Sequence, residues 1–198
     1  MRFTRTLITV GFLAFSLPLA ADQAQAQAQD RAKQLVESFH DALVQVMQIP
    51  GHGSREAYIE PHIASVFDTS RIAAVSLGRA WRTLPDVEQM AFIELLNELI
   101  VATYADRFDA YSRQQFVTDE VKAVRTGFVV RTRLRRDAAA DVALDYFLRD
   151  DKVFNVVADG VSDLSLRRAD YNSIIKSEGY ERLLEHIRDK ISAARSGT

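Results

Sequence analysis

Four histidines, a glycine-flanked turn and a run of alternating arginines are the groups in this sequence best suited to chemistry. The histidines are His40, His52, His62 and His186. Imidazole titrates near neutrality and can act as general base or metal ligand. Neither role finds its usual spacing here. His52 and His62 stand ten apart with no H-E-x-x-H pattern, which makes a poor metal site. His40 lies between Glu37 and Asp41, and His186 among Arg182, Asp189 and Lys190, so both read as solvated positions on polar helix faces. Gly51-His52-Gly53-Ser54 resembles a nucleophile turn but lacks the G-x-S-x-G order and a preceding strand. No phosphate-cradling or dinucleotide glycine loop occurs. Arg131, Arg133 and Arg135 recur every second residue, which places them on one face of a strand. They form either an anion-binding stripe or a solvated face paired across strands, for instance with Asp145, and the second reading is favoured. There is no cysteine, which removes thiol nucleophiles, thiolate metal sites, disulfides and a lipid-modified N-terminal cysteine. The residues therefore call for no cofactor and no metal, and by themselves reach no function.

The elements follow from periodicity. A first helix is predicted from an Asp30 cap to about Gln48, with Leu35, Val36, Phe39, Leu43, Val46 and Met47 on one face. Pro50-Gly51-His52-Gly53 breaks it. Helical signals resume near Ser54, pause around Pro61, and restart at Asp68 as a cap for Thr69 to Leu77, ended by Gly78. The strongest helix spans about Leu84 to Tyr104, opened by a capping box of Thr83 with Asp86 and by Pro85 in the first turn. Its apolar residues cover more than half the circumference, so it is expected to be covered on two sides. After Tyr111 the period falls to two. Phe116 to Val124, Phe128 to Arg135, Val142 to Arg149 and Lys152 to Ala158 predict four sequential antiparallel strands. Asp170 is read as the cap of a short helix, and Gly179 separates it from a last helix over Tyr180 to about Ser192. The predicted class is α+β: helices packed on one face of a curved four-stranded antiparallel sheet.

The beginning of the chain carries an address. Arg2 and Arg5 precede a nearly unbroken apolar run, Leu7 to Leu19, followed by A-x-A sequences ending at Ala26 and Ala28. That is the three-part pattern of a cleaved secretory signal, and the run is too short to span a bilayer. Residues 1–26 are expected to be the signal, the Gln/Ala stretch to Gln29 a flexible leader, and 27–198 one domain delivered to the periplasm. Cleavage after Ala26 leaves 23 basic against 26 acidic residues, a net charge of −3 with histidine neutral. So mild a balance offers no footprint for nucleic acid. About 170 residues suffice for one sizeable core without disulfides.

An ordered set of short motifs resembles a known family. Phe67-Asp68 and Leu77-Gly78-Arg79-Ala80-Trp81-Arg82 are similar to FD…LGxxWR. Glu88-Gln89, Phe92, Leu95, Leu96, Leu99 and Thr103-Tyr104-Ala105 are similar to EQ…F…LL…TYA. Tyr111, Phe116, Val130, Thr132, Asp145-Tyr146 and Gly160-Val161-Ser162 follow in order. These resemble the MlaC-type family, periplasmic lipid-binding components associated with ABC transporters and named for toluene tolerance. Two departures, Lys152-Val153-Phe154 in place of a strand-opening Trp and Val161 to Tyr171 in place of a segment with N-Y-R, look more like the hopanoid-associated branch, HpnM.

The resemblance implies an apolar cavity for acyl tails between sheet and helices. The ligand would be a phospholipid or a hopanoid. The implied partners are an inner-membrane transporter complex and an outer-membrane lipoprotein or porin complex, with the carrier itself a monomer. The candidate lining is Val130, Leu134, Leu144, Tyr146 and Val156 from the sheet, with Val75, Leu77, Phe92, Leu96, Leu99 and Tyr104 from the helices. A pocket wall and a solid core look alike in sequence, so core packing is the competing reading for each. The competing functions are an envelope adaptor with a solid interior and a small-molecule enzyme with a perturbed carboxylate in a small pocket.

Overall fold

The computed structural model describes residues 17–137 and 139–197. The basic start and most of the apolar run of the expected signal lie outside them. Among the described residues six α-helices are arranged around one open sheet: α1 (Leu17–Val46), α2 (His52–Val66), α3 (Thr69–Leu77), α4 (Asp86–Arg107), α5 (Asp163–Glu178) and α6 (Tyr180–Ser196). The strands are β1 (Gln115–Val124), β2 (Gly127–Arg136), β3 (Ala139–Arg149), β4 (Lys152–Ala158) and β5 (Val161–Ser162), antiparallel in the order β1-β2-β3-β4-β5. The class is α+β as expected, and β5 adds a fifth, two-residue strand to the predicted four.

Three irregularities curve the sheet. The pairing shifts between Thr118 and Glu120, between Leu134 and Arg136, and between Phe147 and Leu148. An extra residue on one strand bends it and increases its twist. In β4 the extra residue is Phe154: Leu148 faces Val153 and Tyr146 faces Val156, so two residues three apart share the inner face. The outer face is the arginine stripe. Arg131 lies 3.0 Å from Glu120 and 3.7 Å from Asp145, while Arg133 lies 2.7 Å from Asp119 and 3.7 Å from Asp141. These exposed pairs contribute little stability. Their charges keep that face in water and assign the other face to the core.

Local signals explain most boundaries. The Asp68 carboxylate accepts from the Arg71 N–H and caps α3, and Gly78 ends that helix at φ 59°. Gly127 opens β2 at φ 139°, where an added Cβ would stand 2.0 Å from the Leu148 carbonyl oxygen. Four readings need correction. Asp30 lies inside α1, because the Ala/Gln stretch before it consists of good helix formers that extend the helix backwards. Pro61 lies inside α2 without ending it. The Thr83 hydroxyl donates to the Ala80 carbonyl at 2.8 Å instead of forming a capping box, and Pro85 precedes α4 as its N-cap residue. Asp170 lies within α5, whose cap is Ser162 accepting from the Ser165 N–H.

Helices and sheet are joined at specific points. The Asp68 N–H donates to the Val153 carbonyl at 2.8 Å, fixing the α2–α3 junction on β4. Lys152 Nζ donates to the Ala64 and Ser65 carbonyls near the end of α2. Arg55 Nε reaches the Ala105 carbonyl of α4 at 2.7 Å, and Arg195 pairs with Glu56 and Glu98, both at 2.9 Å. The core between them includes Phe39, Leu43, Ile59, Ile63, Leu96, Leu148, Val153, Leu183 and Ile187.

His40 is the largest departure from the sequence reading. It is only 4% exposed, its Nε2 lies 3.0 Å from the Tyr146 hydroxyl, and its ring stacks on Phe116 at 4.1 Å. The reason is helical: His40 follows Val36 by four and precedes Leu43 by three, so it shares their buried face. Burial holds its pKa down to about 3, and the ring is neutral at physiological pH.

Two predictions follow from this packing. Between pH 6.5 and about 3 the unfolded chain binds a proton at His40 that the folded chain refuses, so stability falls on acidification through that window and the loss levels off below it. Replacing His40→Gln keeps a partner for Tyr146 and should flatten the slope of urea-unfolding stability there by up to about 1.4 kcal/mol per pH unit. Gly127→Ala should lower unfolding stability by about 2 kcal/mol or more, read from the urea midpoint. A midpoint equal to wild type would contradict the close approach to Leu148.

Candidate functional site

The inner face of the sheet is only partly covered. At one end Val130, Tyr146, Leu148 and Val153 are buried against the helices. At the other end Leu134, Val142, Leu144 and Val156 are half-buried and face a void. This cavity has a volume of about 490 Å³. Its second wall is the C-terminal part of α4, with Ile100, Thr103, Tyr104, Arg107 and Phe108 at its exit, and its third is the start of α5, with Leu164, Leu166 and Arg167. Phe67, Ile72 and Phe154 line it from the α2–α3 junction and β4. The bulge in β4 brings Val153 onto the inner face together with Val156, and Phe154 and Val156 both border the void.

Aromatic packing sets the floor. Tyr104 stacks on Phe108 with centroids 5.8 Å apart and meets Phe39 edge-on at 5.4 Å. Burial raises the Tyr104 hydroxyl well above its ordinary pKa, with Asp163 adding to the effect. Burial likewise raises that of Tyr146. Both therefore stay neutral, and the Tyr146 hydroxyl is already engaged by His40.

The charged groups of the lining are Arg107, Arg136, Arg167 and Asp163. Arg167 is the buried one, with 13% of its side chain exposed. Its guanidinium donates to the Tyr171 hydroxyl at 3.2 Å and to the Asp163 carboxylate at 2.9 Å, while its Nε is buried without an acceptor. Arg136 donates to the Ala140 carbonyl. Val161 and Leu166 are 51% and 59% exposed, which marks the open side as an apolar rim carrying positive charge.

Of the residues nominated from sequence, Tyr104, Leu134, Leu144, Tyr146 and Val156 line this cavity. Val75, Leu77, Phe92, Leu96, Leu99 and Val130 do not. They pack among helices or behind the cavity floor, with Phe92 edge-on to Tyr171 at 6.1 Å. The α5 contribution went unseen because the helix was expected to begin only at Asp170, which left Leu164 and Leu166 outside any element. Its signal was Leu164 and Leu166, apolar residues in an otherwise polar stretch.

The other candidate groups come together nowhere. His52 lies 3.6 Å from Glu56, and His186 lies 3.4 Å from Asp170. His62 packs on Tyr58. Among the described residues no group of three or more His, Asp or Glu is placed to hold a metal ion. Asp145 stands on the outer face with Arg131, away from the cavity. A larger groove of about 730 Å³ runs between α2 and α4, but it is a wide surface cleft bordered by Glu56, Glu60, Glu94 and Glu98 and bridged by Arg195. Among the described residues no helix is long and apolar enough to cross a membrane.

The cavity can enclose apolar matter. Taking a methylene as roughly water-sized, at about 30 Å³ each, 490 Å³ accommodates on the order of 16 carbons. Nothing in its wall is arranged as a nucleophile with a base.

Comparison with known proteins places this architecture. No curated protein matches the sequence. Among solved structures, a phospholipid-binding protein from Ralstonia solanacearum, determined in complex with a phospholipid, superposes with a TM-score of 0.71 at 20% identity. The match covers 84% of this chain and 98% of that one, which establishes a shared fold. The family model described as MlaC protein matches residues 33–189, from the first turns of the amphipathic part of α1 to near the end of α6. The chain belongs to the MlaC protein family.

Proposed function

We propose that this chain is a periplasmic lipid carrier that holds the acyl tails of a phospholipid in the cavity between β2–β4, α4 and α5 and passes its cargo between membrane complexes. The observation that carries this reading is the apolar void of about 490 Å³ at the uncovered end of the sheet. A solid-core adaptor has no use for such a void, and an enzyme would need an ionisable group there poised for proton transfer. The phospholipid bound to the structurally similar Ralstonia protein supports the same ligand class. Residues 1–26 serve in this reading as the export signal and 27–198 as the carrier domain.

The energetics suit carriage. Each buried methylene contributes about 0.8 kcal/mol, so a tail of about 14 carbons gains roughly 10 kcal/mol gross. Holding one tail requires no polar contact. Releasing it unaided is slow, so unloading requires a partner that opens the walls or accepts the tail as it emerges. An inner-membrane transporter complex and an outer-membrane lipoprotein or porin complex are the partners this reading assigns. A void sized for about 16 methylenes holds one chain, and a second tail requires β2–β4 and α5 to move apart.

The test is native mass spectrometry of protein purified from periplasm without detergent, followed by extraction of bound lipid. A stoichiometric phospholipid adduct is expected. A hopanoid adduct would transfer the reading to that lipid class, and a clean apo mass that persists after mixing with liposomes would overturn it. Leu144→Asp, at the half-buried cavity wall, should fold and lose at least about nine-tenths of its lipid occupancy, since a charge in an apolar site costs several kcal/mol. Leu96→Asp, in the fully buried core, should instead fail to fold. Full loading of a folded Leu144→Asp protein would show that tails bind elsewhere.

A further inference from the structure

The cavity has a direction. At its open side Val161, Leu166 and Arg107 are exposed, while Phe67, Ile72, Ile100 and Tyr146 at its inner end are buried. A tail that enters past α5 therefore runs toward the buried residues. The inner end is closed by rings. Phe67 and Tyr104 stand in the wall with centroids 5.7 Å apart, and each meets Phe39 at 5.4 Å. Phe39 does not border the void; it lies behind, fully buried among the α1 core residues Val36 and Leu43. Phe39 is edge-on to both of the others, so no ring of the three turns without displacing a neighbour.

Phe67 is also fixed by its backbone. It ends α2 in an extended conformation and bridges to Val153 of β4. Its N–H donates to the Ile63 carbonyl at 2.9 Å, and the N–H of the next residue donates to the Val153 carbonyl at 2.8 Å. The ring is thus held across the end of the cavity from a junction tied to the sheet. Tyr104 belongs to the side wall, where Ile100 precedes it by one turn on the same face of α4. Apolar walls of this kind recognise no functional group. What they can measure is length: a methylene that fits leaves water, and one that does not fit stays in water or must force packed rings apart.

We propose that Phe67, locked against Phe39 and Tyr104, is the end stop that sets the longest acyl tail this chain encloses. From the volume of the void that limit is about 16 carbons. The inference rests on the carrier reading and deepens it, since it assigns selection among tails to one side chain at the floor. Shorter tails leave part of the void unfilled and lose the contacts they do not make. Longer ones gain nothing from the carbons that remain outside.

The test titrates delipidated protein with saturated lysophosphatidylcholines of increasing tail length, each below its critical micelle concentration, and reads displacement of a fluorescent fatty acid. In wild type the affinity should rise about fourfold per added methylene up to about 16 carbons and then level off. Phe67→Ala should move the break about three carbons longer, because the void extends into the space of the lost ring. Ile100→Phe, which adds a ring in front of the floor, should move it shorter by a similar amount. Folding of each variant is checked by circular dichroism; if Phe67→Ala is unfolded, Phe67→Leu replaces it with a smaller shift in the same direction. A break that stays at the wild-type length in the folded variants, or no break in wild type, overturns the end stop and leaves the carrier reading standing. A shift in Ile100→Phe with none in the folded Phe67 variant places the floor on α4 and overturns the role of Phe67. Failure of every lysophospholipid to displace the probe overturns the carrier reading itself.

Discussion

The fold depends on one mismatch: the inner face of the sheet is larger than the helices lying on it. An antiparallel sheet with one charged face must bury the other. Here α1, α2 and α4 close over Val130, Tyr146, Leu148 and Val153, and that half is a conventional core. The same strands continue past it to Leu134, Val142, Leu144 and Val156, where no helix fills the space and α5 stands off as a far wall. The bulges make this possible by curving the sheet away from the plane that the helices follow. The void is therefore a consequence of strand length and curvature, and needs no special residue to keep it open.

The polar groups inside the molecule mark the border between core and cavity. His40 and Tyr146 meet on the floor, where α1 crosses β3. Paired with each other, they bring α1 into fixed register with the sheet without placing a charge there. Arg167 marks the opposite border, where α5 turns its first residues toward the mouth. One polar contact is neutral and closed, the other cationic and incompletely satisfied, and the apolar volume lies between them.

The sheet was legible in the sequence because a two-residue period with arginines on one side admits a single facing. Lys152 to Ala158 matched its strand to the residue, and the Arg131–Asp145 pairing was expected from that alternation alone. The helical half of the site was less legible. Leu96, Leu99 and Phe92 carry the same apolar signal as Ile100 and Tyr104, and a helix covered on two sides gives no indication of which side is solid. Which face meets α6 and which meets empty space is decided by tertiary contacts, beyond the reach of periodicity. His40 was misplaced for a related reason: its chain neighbours Glu37 and Asp41 are polar, while its neighbours on the helix surface are Val36 and Leu43.

The order of the strands leaves β1 at the margin of the sheet, with one row of its backbone groups unmatched by another strand. Such a margin invites a second chain to add to it. The irregularity at Thr118–Glu120 interrupts the row at mid-length, and exposed Asp119, Glu120 and Lys122 surround the interruption. The margin is therefore broken and charged, which blunts it as a template for strand addition.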